Sequence, residues 1–421
     1  MSDAPSTRKP GVTQGQRRTL GGLFAHQESG LIIVILLMGL GLTIFGALNP
    51  VTLPTQQAVE PGATVTVLDK QNAIHPTGVL GRTDISAFRV TDPDGAAQDY
   101  RVSDGWWYDS EKFQLSREHT VNAFLNTEKL VLIVKDASFI AIMAVGMTGV
   151  IILAGIDLSV GSIYGLAGIV GAMVLTKMPA DMSWALAVPI GLLVCIAVGG
   201  ACGFANGAMS VGLRVHPFVI TLGMMAALRG LTLVLPSELF ETQSISGFPE
   251  SFTKGFFKAE ILGVEPVPAL FMLAVAGAGW FVLSRTVFGR RVFAIGGNET
   301  AARYAGIPVA RVKILVYTIT GALAGLSGCL AIGFYGAGET NAGNAYELRV
   351  IAATVIGGAS LMGGRGTVIG AVLGAIVIEL INNSILILGI DQSYNQIVMG
   401  AAIIVAVVVD QTKQRLAAKR G

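Results

Sequence analysis

The stretch Gly155 to Ser162, GIDLSVGS, sets one acid, two hydroxyls and two glycines inside an otherwise apolar run, Ala141 to Val174. Two chemistries suit this set. The Asp157 carboxylate, with Ser159 and Ser162, can exchange hydrogen bonds with a polyhydroxylated solute. It can equally cap the helix that begins near Ser159, where free amides and the positive helix end gather. In hydrocarbon an unsatisfied backbone group is costly, so a broken helix must be shielded by protein or line a cavity. An ionisable group at that depth marks a functional site.

A second polar group lies far along the chain. Glu379 sits mid-run, with Asn382 and Asn383 on the same helical face. It either pairs across a helix bundle or touches a polar pathway. Arg229 and Arg349 fall near the ends of apolar runs and are expected to snorkel to the interface. The segment 284–313 holds Arg285, Arg290, Arg291, Arg303, Arg311 and Lys313, with Glu299 as its only acid.

Other chemistries lack their residues. There is no phosphate-cradling GxxxxGK[ST] loop, no HExxH and no GxSxG. His26, His75, His119 and His216 are scattered, and the three cysteines all fall in apolar segments without metal or redox spacing. No enzyme, cofactor or metal centre is expected, and nothing points to nucleic acid.

The elements that must hold these residues are membrane helices. The chain has 421 residues, 52% hydrophobic and only 13% charged, where a soluble domain is nearer a quarter charged. Fifty-four glycines suit close helix packing. Small residues recur four apart at Gly161/Gly165, Gly199/Gly203/Gly207, Gly321/Gly325 and Gly366/Gly370/Gly374.

An all-α polytopic fold of about ten spans is expected. Residues 1–30 form a basic tail and 31–48 a retained first helix. Residues 49–129 form a small strand-rich insert, with TVTVL (Thr64 to Leu68) and SAFRV (Ser86 to Val90) as strands and Trp106 to Tyr108 either in its core or at the membrane surface. Residues 130–410 form the transmembrane core, with basic loop 284–313, and 411–421 a basic tail. Within the core, apolar runs cover 130–153, 163–176, 184–211, 217–235, 267–283, 314–335, 349–362, 367–388 and 392–409. Placing every basic loop on one side makes that side, and both termini, cytoplasmic.

A second Gly-rich break, Gly363 to Gly366, echoes the first. Offsetting the chain to bring Gly155 onto Gly358 also superposes Leu158 on Leu361, Gly161 on Gly364, Gly171 on Gly374 and Ala172 on Ala375. Broken helices in matching repeats point to a midplane site, although glycine and alanine are common enough here for chance to give the same matches.

Four motifs in order, AVGMTGVIILAGIDLSVGS, HPFVITLGMMAALRGL, TVFGRRVFAIGGNETAARYAGI and VIGGASLMGGRGTVIGAVLGA, resemble the ribose/xylose/arabinose-type permease subunits of bacterial ABC sugar importers. The resemblance runs from about Asn122 to Val409. It implies a dimer of inner-membrane subunits, two cytoplasmic ATP-binding subunits and an extracytoplasmic sugar-binding protein. It also implies that the basic loop contacts the ATPase. The matching residues are Gly296, Gly297, Asn298, Ala301, Ala302, Gly306 and Ile307, with Glu299, Arg290 and Arg291 around a short exposed helix, Glu299 to Ala305. Such permeases have a short first outer loop, so the 49–129 insert is a departure. The competing reading is a stand-alone secondary transporter in which Asp157 and Glu379 are ion-coupling carboxylates.

Overall fold

Helix α1 (Gln27–Leu48) opens on a polar turn and is apolar on all sides from Gly30 onward, as a helix facing hydrocarbon must be. The computed structural model describes residues 27–408, except 60–62, 72, 77–83, 105, 110–113, 262, 403 and 406–407. The expected tail 411–421 and the first 26 residues of the expected tail 1–30 lie outside these residues, and residues 27–30 already belong to α1. The chain divides into two compact units, Met38–Leu132 with Ile387–Ile390, and the remainder.

The smaller unit carries the strands β1 (Val51–Ala58), β2 (Thr64–Asp69), β3 (Ile74–Pro76), β4 (Ile85–Thr91), β5 (Ala97–Arg101), β6 (Trp106–Asp109) and β7 (Gln114–Val121). They form two antiparallel sheets, in the orders β1-β7-β6 and β3-β2-β4-β5. The two strands expected from sequence pair directly, Val67 opposite Phe88. Alternation along the strands gathers Val67, Phe88, Val90, Tyr100 and Leu115 into one core. The same alternation splits the aromatic triplet. Trp106 and Tyr108 pack on this core, while Trp107 is 46% exposed. An Arg89–Asp99 fork (2.6 and 2.7 Å) braces β4 against β5.

The larger unit is helical. Its elements are α2 (Thr127–Ile152), α3 (Val160–Leu175), α4 (Trp184–Gly212), α5 (Pro217–Phe240), β8 (Ser244–Ser246), α6 (Glu250–Phe252), α7 (Val267–Arg285), α8 (Val287–Gly297), α9 (Glu299–Tyr304), α10 (Val309–Tyr335), β9 (Ala337–Glu339), α11 (Tyr346–Ile356) and α12 (Val368–Ile387). Among the described residues, α1, α2, α4, α5, α7, α10 and α12 are long and apolar enough to cross a membrane.

Seven such helices stand against about ten apolar segments in the sequence. Of the other three, α3 has 16 residues, about 24 Å of helix, short of the roughly 30 Å hydrocarbon core. It cannot begin earlier because Ala154 to Ser159 is irregular. Helix α11 has 11 residues and stops at Ile356, before the second break. Segment 392–409 lies partly outside the described residues.

Helix α3 is the centre of this unit, buried on nearly every side. Helices α4, α5 and α10 pack around it. The contact of α4 with α10 is made by the predicted small residues. A Cβ on Gly199 would lie 2.2 Å from the Gly321 carbonyl oxygen, and a Cβ on Gly321 would lie 2.2 Å from that of Gly199. Backbones this close leave no room for a side chain. Gly321→Val is therefore expected to cost stability at or above the top of the about 1–3 kcal/mol typical of overpacking. Thermal unfolding of the purified variant measures this, and a wild-type midpoint would refute the contact.

Candidate permeation and coupling sites

At the first break, α2 ends with Ala154 in the left-handed region (φ 56°), and the Gly155 amide reaches back to the Val150 carbonyl at 3.0 Å. The chain then runs irregularly to Ser159 before α3 begins. Asp157 is fully buried there. Its Oδ1 accepts the Ser159 amide (2.9 Å) and the Ser159 hydroxyl (2.7 Å). The Asn206 amide of α4 donates to that same Ser159 oxygen at 2.7 Å. Thr221 of α5 donates to the Ile156 carbonyl at 3.2 Å.

One carboxylate oxygen thus fixes the turn that launches α3, which is close to the capping chemistry expected. The other does not. Asp157 Oδ2, Asn206 Oδ1 and the Tyr317 hydroxyl of α10 are all buried without a hydrogen-bond partner among the described residues. Ser162 stands apart from this cluster, donating to the Met225 carbonyl at 3.0 Å and tying α3 to α5. Asn206 and Tyr317 escaped the sequence reading. The one signal for Asn206 was a lone amide beside Gly207 on a glycine-lined face.

These bonds separate two variants. Asp157→Asn keeps an acceptor oxygen for both Ser159 bonds, so near wild-type thermal stability is expected. Asp157→Ala loses both and should cost about 1–3 kcal/mol. Thermal unfolding and the concentration dependence of uptake distinguish them. An Asn variant as unstable as the Ala variant would mean that the charge itself holds the turn.

The second break ends its helix in the same way. Gly358 is left-handed (φ 96°), and the Ala359 amide reaches the Thr354 carbonyl at 3.0 Å. The caps therefore align Ala154 with Gly358, one residue off the register read from sequence. Gly161 lies within α3, whereas Gly364 lies in a loop that continues to Val368. The two breaks share a helix ending, and the second is longer.

Glu379 on α12 is 1% exposed and faces Arg349 of α11 at 3.7 Å. Asn382 donates to its other oxygen at 3.1 Å, and Asn395 in turn bonds Asn382. Arg349 does not snorkel, because it bridges the two arms of the second break. Its guanidinium also stacks over Tyr346 (5.3 Å), which meets Tyr164 of α3 (5.1 Å). Arg229 likewise turns inward, donating to the Ala342 carbonyl at 2.9 Å. A cavity of about 210 Å³ opens among Tyr164, Tyr335, Tyr346 and Glu339. No hydrogen bond or ion pair among the described residues joins the Asp157 cluster to the Glu379 cluster.

The basic segment folds as expected. Asn298 caps α9 by accepting the Ala301 amide at 2.9 Å. Glu299 bonds Arg303 (3.0 Å) and Lys313 (2.7 Å). The Lys313 ammonium, aided by Arg303, holds the Glu299 carboxyl below its usual range. Ala302 is buried and Ile307 packs against the core, whereas Arg290, Arg291, Gly297, Ala301 and Gly306 are exposed. Tyr304 is 89% exposed, a large aromatic left in the open.

Gly296 and its neighbour tie this segment to both breaks. The Gly364 amide donates to the Ile152 carbonyl at 2.8 Å. A Cβ on Gly296 would lie 1.8 Å from that carbonyl oxygen and 2.8 Å from the Gly364 nitrogen. The end of α2, the loop of the second break and the end of α8 therefore meet backbone to backbone.

A bundle of apolar helices, seven of them long enough to cross a membrane among the described residues, with a polar segment packed on their ends is the architecture of a polytopic membrane protein. Residues 130–407 match the family described as the branched-chain amino acid transport system / permease component. The chain belongs to this family. It is 40% identical to the D-allose transport system permease protein AlsC of Escherichia coli K12 over 288 residues, 68% of this chain and 85% of that protein. It is 40% identical to the ribose import permease protein RbsC of the same strain over 297 residues, 69% of this chain and 88% of that protein. The RbsC protein of Bacillus subtilis is 37% identical over 293 residues, 69% of this chain and 87% of that protein. No solved structure matches the chain. The resemblance carried by the four motifs therefore holds, and the chain is a transporter permease subunit, not an enzyme. The family match begins at residue 130, so the strands of the smaller unit lie outside it.

Proposed function

We propose that this protein is the inner-membrane subunit of an ABC importer, moving a ribose-like monosaccharide with energy from separate ATP-binding subunits. The observation that carries this reading is the backbone junction of Gly296, Ile152 and Gly364. A movement imposed on α9 from outside the membrane has a direct route to both helix breaks. The relatives' roles, import of ribose and transport of allose, support a monosaccharide as cargo.

On this reading the segment holding Arg290, Arg291, Gly296 to Glu299, Ala301, Ala302, Gly306 and Ile307 is the ATPase-coupling surface, and Tyr304 is a docking side chain. Asp157, Ser159 and Ser162 at one break, and Glu379 and Asn382 beside the other, flank the solute path. The path runs near the interface of a permease homodimer, beneath an extracytoplasmic sugar-binding protein. The fold is the ten-span one, with α3 and α11 as partial spans shielded by protein, both termini in the cytoplasm and residues 49–129 an extracytoplasmic insert. Alternating access follows if substrate and ATP favour different states of the bundle.

The test is uptake of labelled ribose and allose into vesicles that carry the permease with its co-purified ATPase and binding protein. ATP-dependent accumulation is expected. Proton- or sodium-driven uptake without nucleotide would replace this reading with the stand-alone transporter, in which Asp157 and Glu379 couple ions.

A further inference from the structure

A polar cavity of about 640 Å³ lies between the start of α5, the end of α4 and the start of α10. Arg214, Arg303 and Lys313 line it, with Glu299 as the only acid and His216 beside them. Glu299 serves both Arg303 and Lys313, so one negative charge answers two positive ones. Arg214 has no acidic partner within salt-bridge distance among the described residues and is held left-handed (φ 55°) at the α4–α5 turn. His216 uses Nδ1 to accept the Phe218 amide at 3.3 Å, which leaves Nε2 free.

Ser210 and Tyr317 also line the cavity, but their hydroxyl oxygens are sealed from solvent and do not open onto it. Two cations sharing one acid, the unpaired Arg214 and a free imidazole nitrogen in one cavity call for an anion with several acceptor oxygens. A phosphate group has that chemistry.

The surroundings favour phosphate attached to a lipid. Leu213 (63% exposed), Phe218 (41%) and Val219 (57%) flank the cavity in sequence and turn apolar surface outward. A polar cavity bordered by exposed apolar side chains at a helix turn suits an amphiphile, with its headgroup inside and its chains alongside. A soluble anion would gain nothing from that border.

We propose that this cavity binds the headgroup of an anionic phospholipid of the cytoplasmic leaflet. The proposal rests on the reading above that the 284–313 face is cytoplasmic. It also has a consequence for coupling. A phosphate within reach of Lys313 and Arg303 competes with Glu299 for them and loosens the clamp on α9. Lipid occupancy and the position of the coupling helix are then linked, and each must affect the other.

The full-length protein, reconstituted in nanodiscs of phosphatidylcholine with rising fractions of phosphatidylglycerol, provides the test. Native mass spectrometry of the released protein counts retained lipid. Selective retention of phosphatidylglycerol is expected, weakened about fivefold in Arg214→Gln, with association of the ATPase unchanged. Equal retention of the two lipids would overturn the proposal. So would displacement of lipid by millimolar inorganic phosphate, which would assign a free-phosphate site. Loss of ATPase association in Arg214→Gln, without a change in retained lipid, would make the cavity a socket for the partner protein and also overturn it. Labelling of an Arg214→Cys variant from each side of sealed vesicles checks the underlying topology separately. Outward labelling would defeat the topology while leaving the lipid counts as measured.

Discussion

Gly296→Ala is expected to reduce coupled uptake by about tenfold or more, while Gly297→Ala, one residue along, leaves both fold and uptake nearly intact. The contrast comes from packing alone. A Cβ on Gly296 would overlap the Ile152 carbonyl oxygen at 1.8 Å and crowd the Gly364 amide at 2.8 Å, whereas one on Gly297 meets nothing within 4 Å. The crowded atoms are backbone and already bond each other, so no rotamer change can make room. Either α8 withdraws or the Ile152–Gly364 bond breaks. Overpacking of this kind costs about 1–3 kcal/mol, enough to shift a two-state equilibrium by about tenfold or more. Uptake and ATP hydrolysis should be measured together in proteoliposomes, with thermal unfolding as the control for folding. Loss of uptake with retained hydrolysis is the expected pattern for Gly296→Ala. Equal behaviour of the two alanine variants would remove the junction from the mechanism.

That junction shows where sequence reasoning stops. Residue type marked the neighbourhood of the first break, but not its extent: Asp157 and Ser159 lie in the irregular stretch, whereas Val160 to Ser162 belong to α3. The short helix α9 came with the family resemblance, and the Asn298 cap agrees with it. The strands at Thr64 and Ser86 were legible from alternation. Packing between remote segments was not. Nothing in GGN or GGRG says that Gly296 and Gly364 meet at Ile152, since glycine records only that space is short, not what fills it.

The polar residues tell the same story from the other side. Arg349 looked like an interfacial cation because its neighbours along the chain are at the edge of an apolar run. It becomes the half-buried partner of a buried carboxylate because α11 stops after 11 residues and folds back beside α12. Tyr317 has nothing in the sequence to distinguish it from its apolar run, yet its hydroxyl is left idle beside the break among the described residues. A Cβ on Gly155 would lie 2.6 Å from that oxygen. Short-range pattern gives the period and ends of a helix. The partner of a polar side chain depends on which helix arrives next to it.

Removing Arg349 should therefore be costly in a way that snorkelling would not allow. Glu379 is 1% exposed, and Arg349, at 3.7 Å, is its one cationic partner among the described residues. Asn382 supplies a single hydrogen bond to the other oxygen. Arg349→Met leaves a carboxylate buried with only that amide, and breaking a buried pair from one side costs about 3–5 kcal/mol. The double variant Arg349→Met/Glu379→Gln removes the stranded charge and keeps an oxygen for Asn382, so most of that loss should return. Thermal unfolding of wild type, both single variants and the double variant forms the cycle. A neutral Arg349→Met, or a double variant no better than the single, would show that the pair does not hold α11 against α12. If the double variant folds but imports its sugar with altered concentration dependence, the same two residues also face the solute. The clamp across the second break and the path beside it would then be one structure.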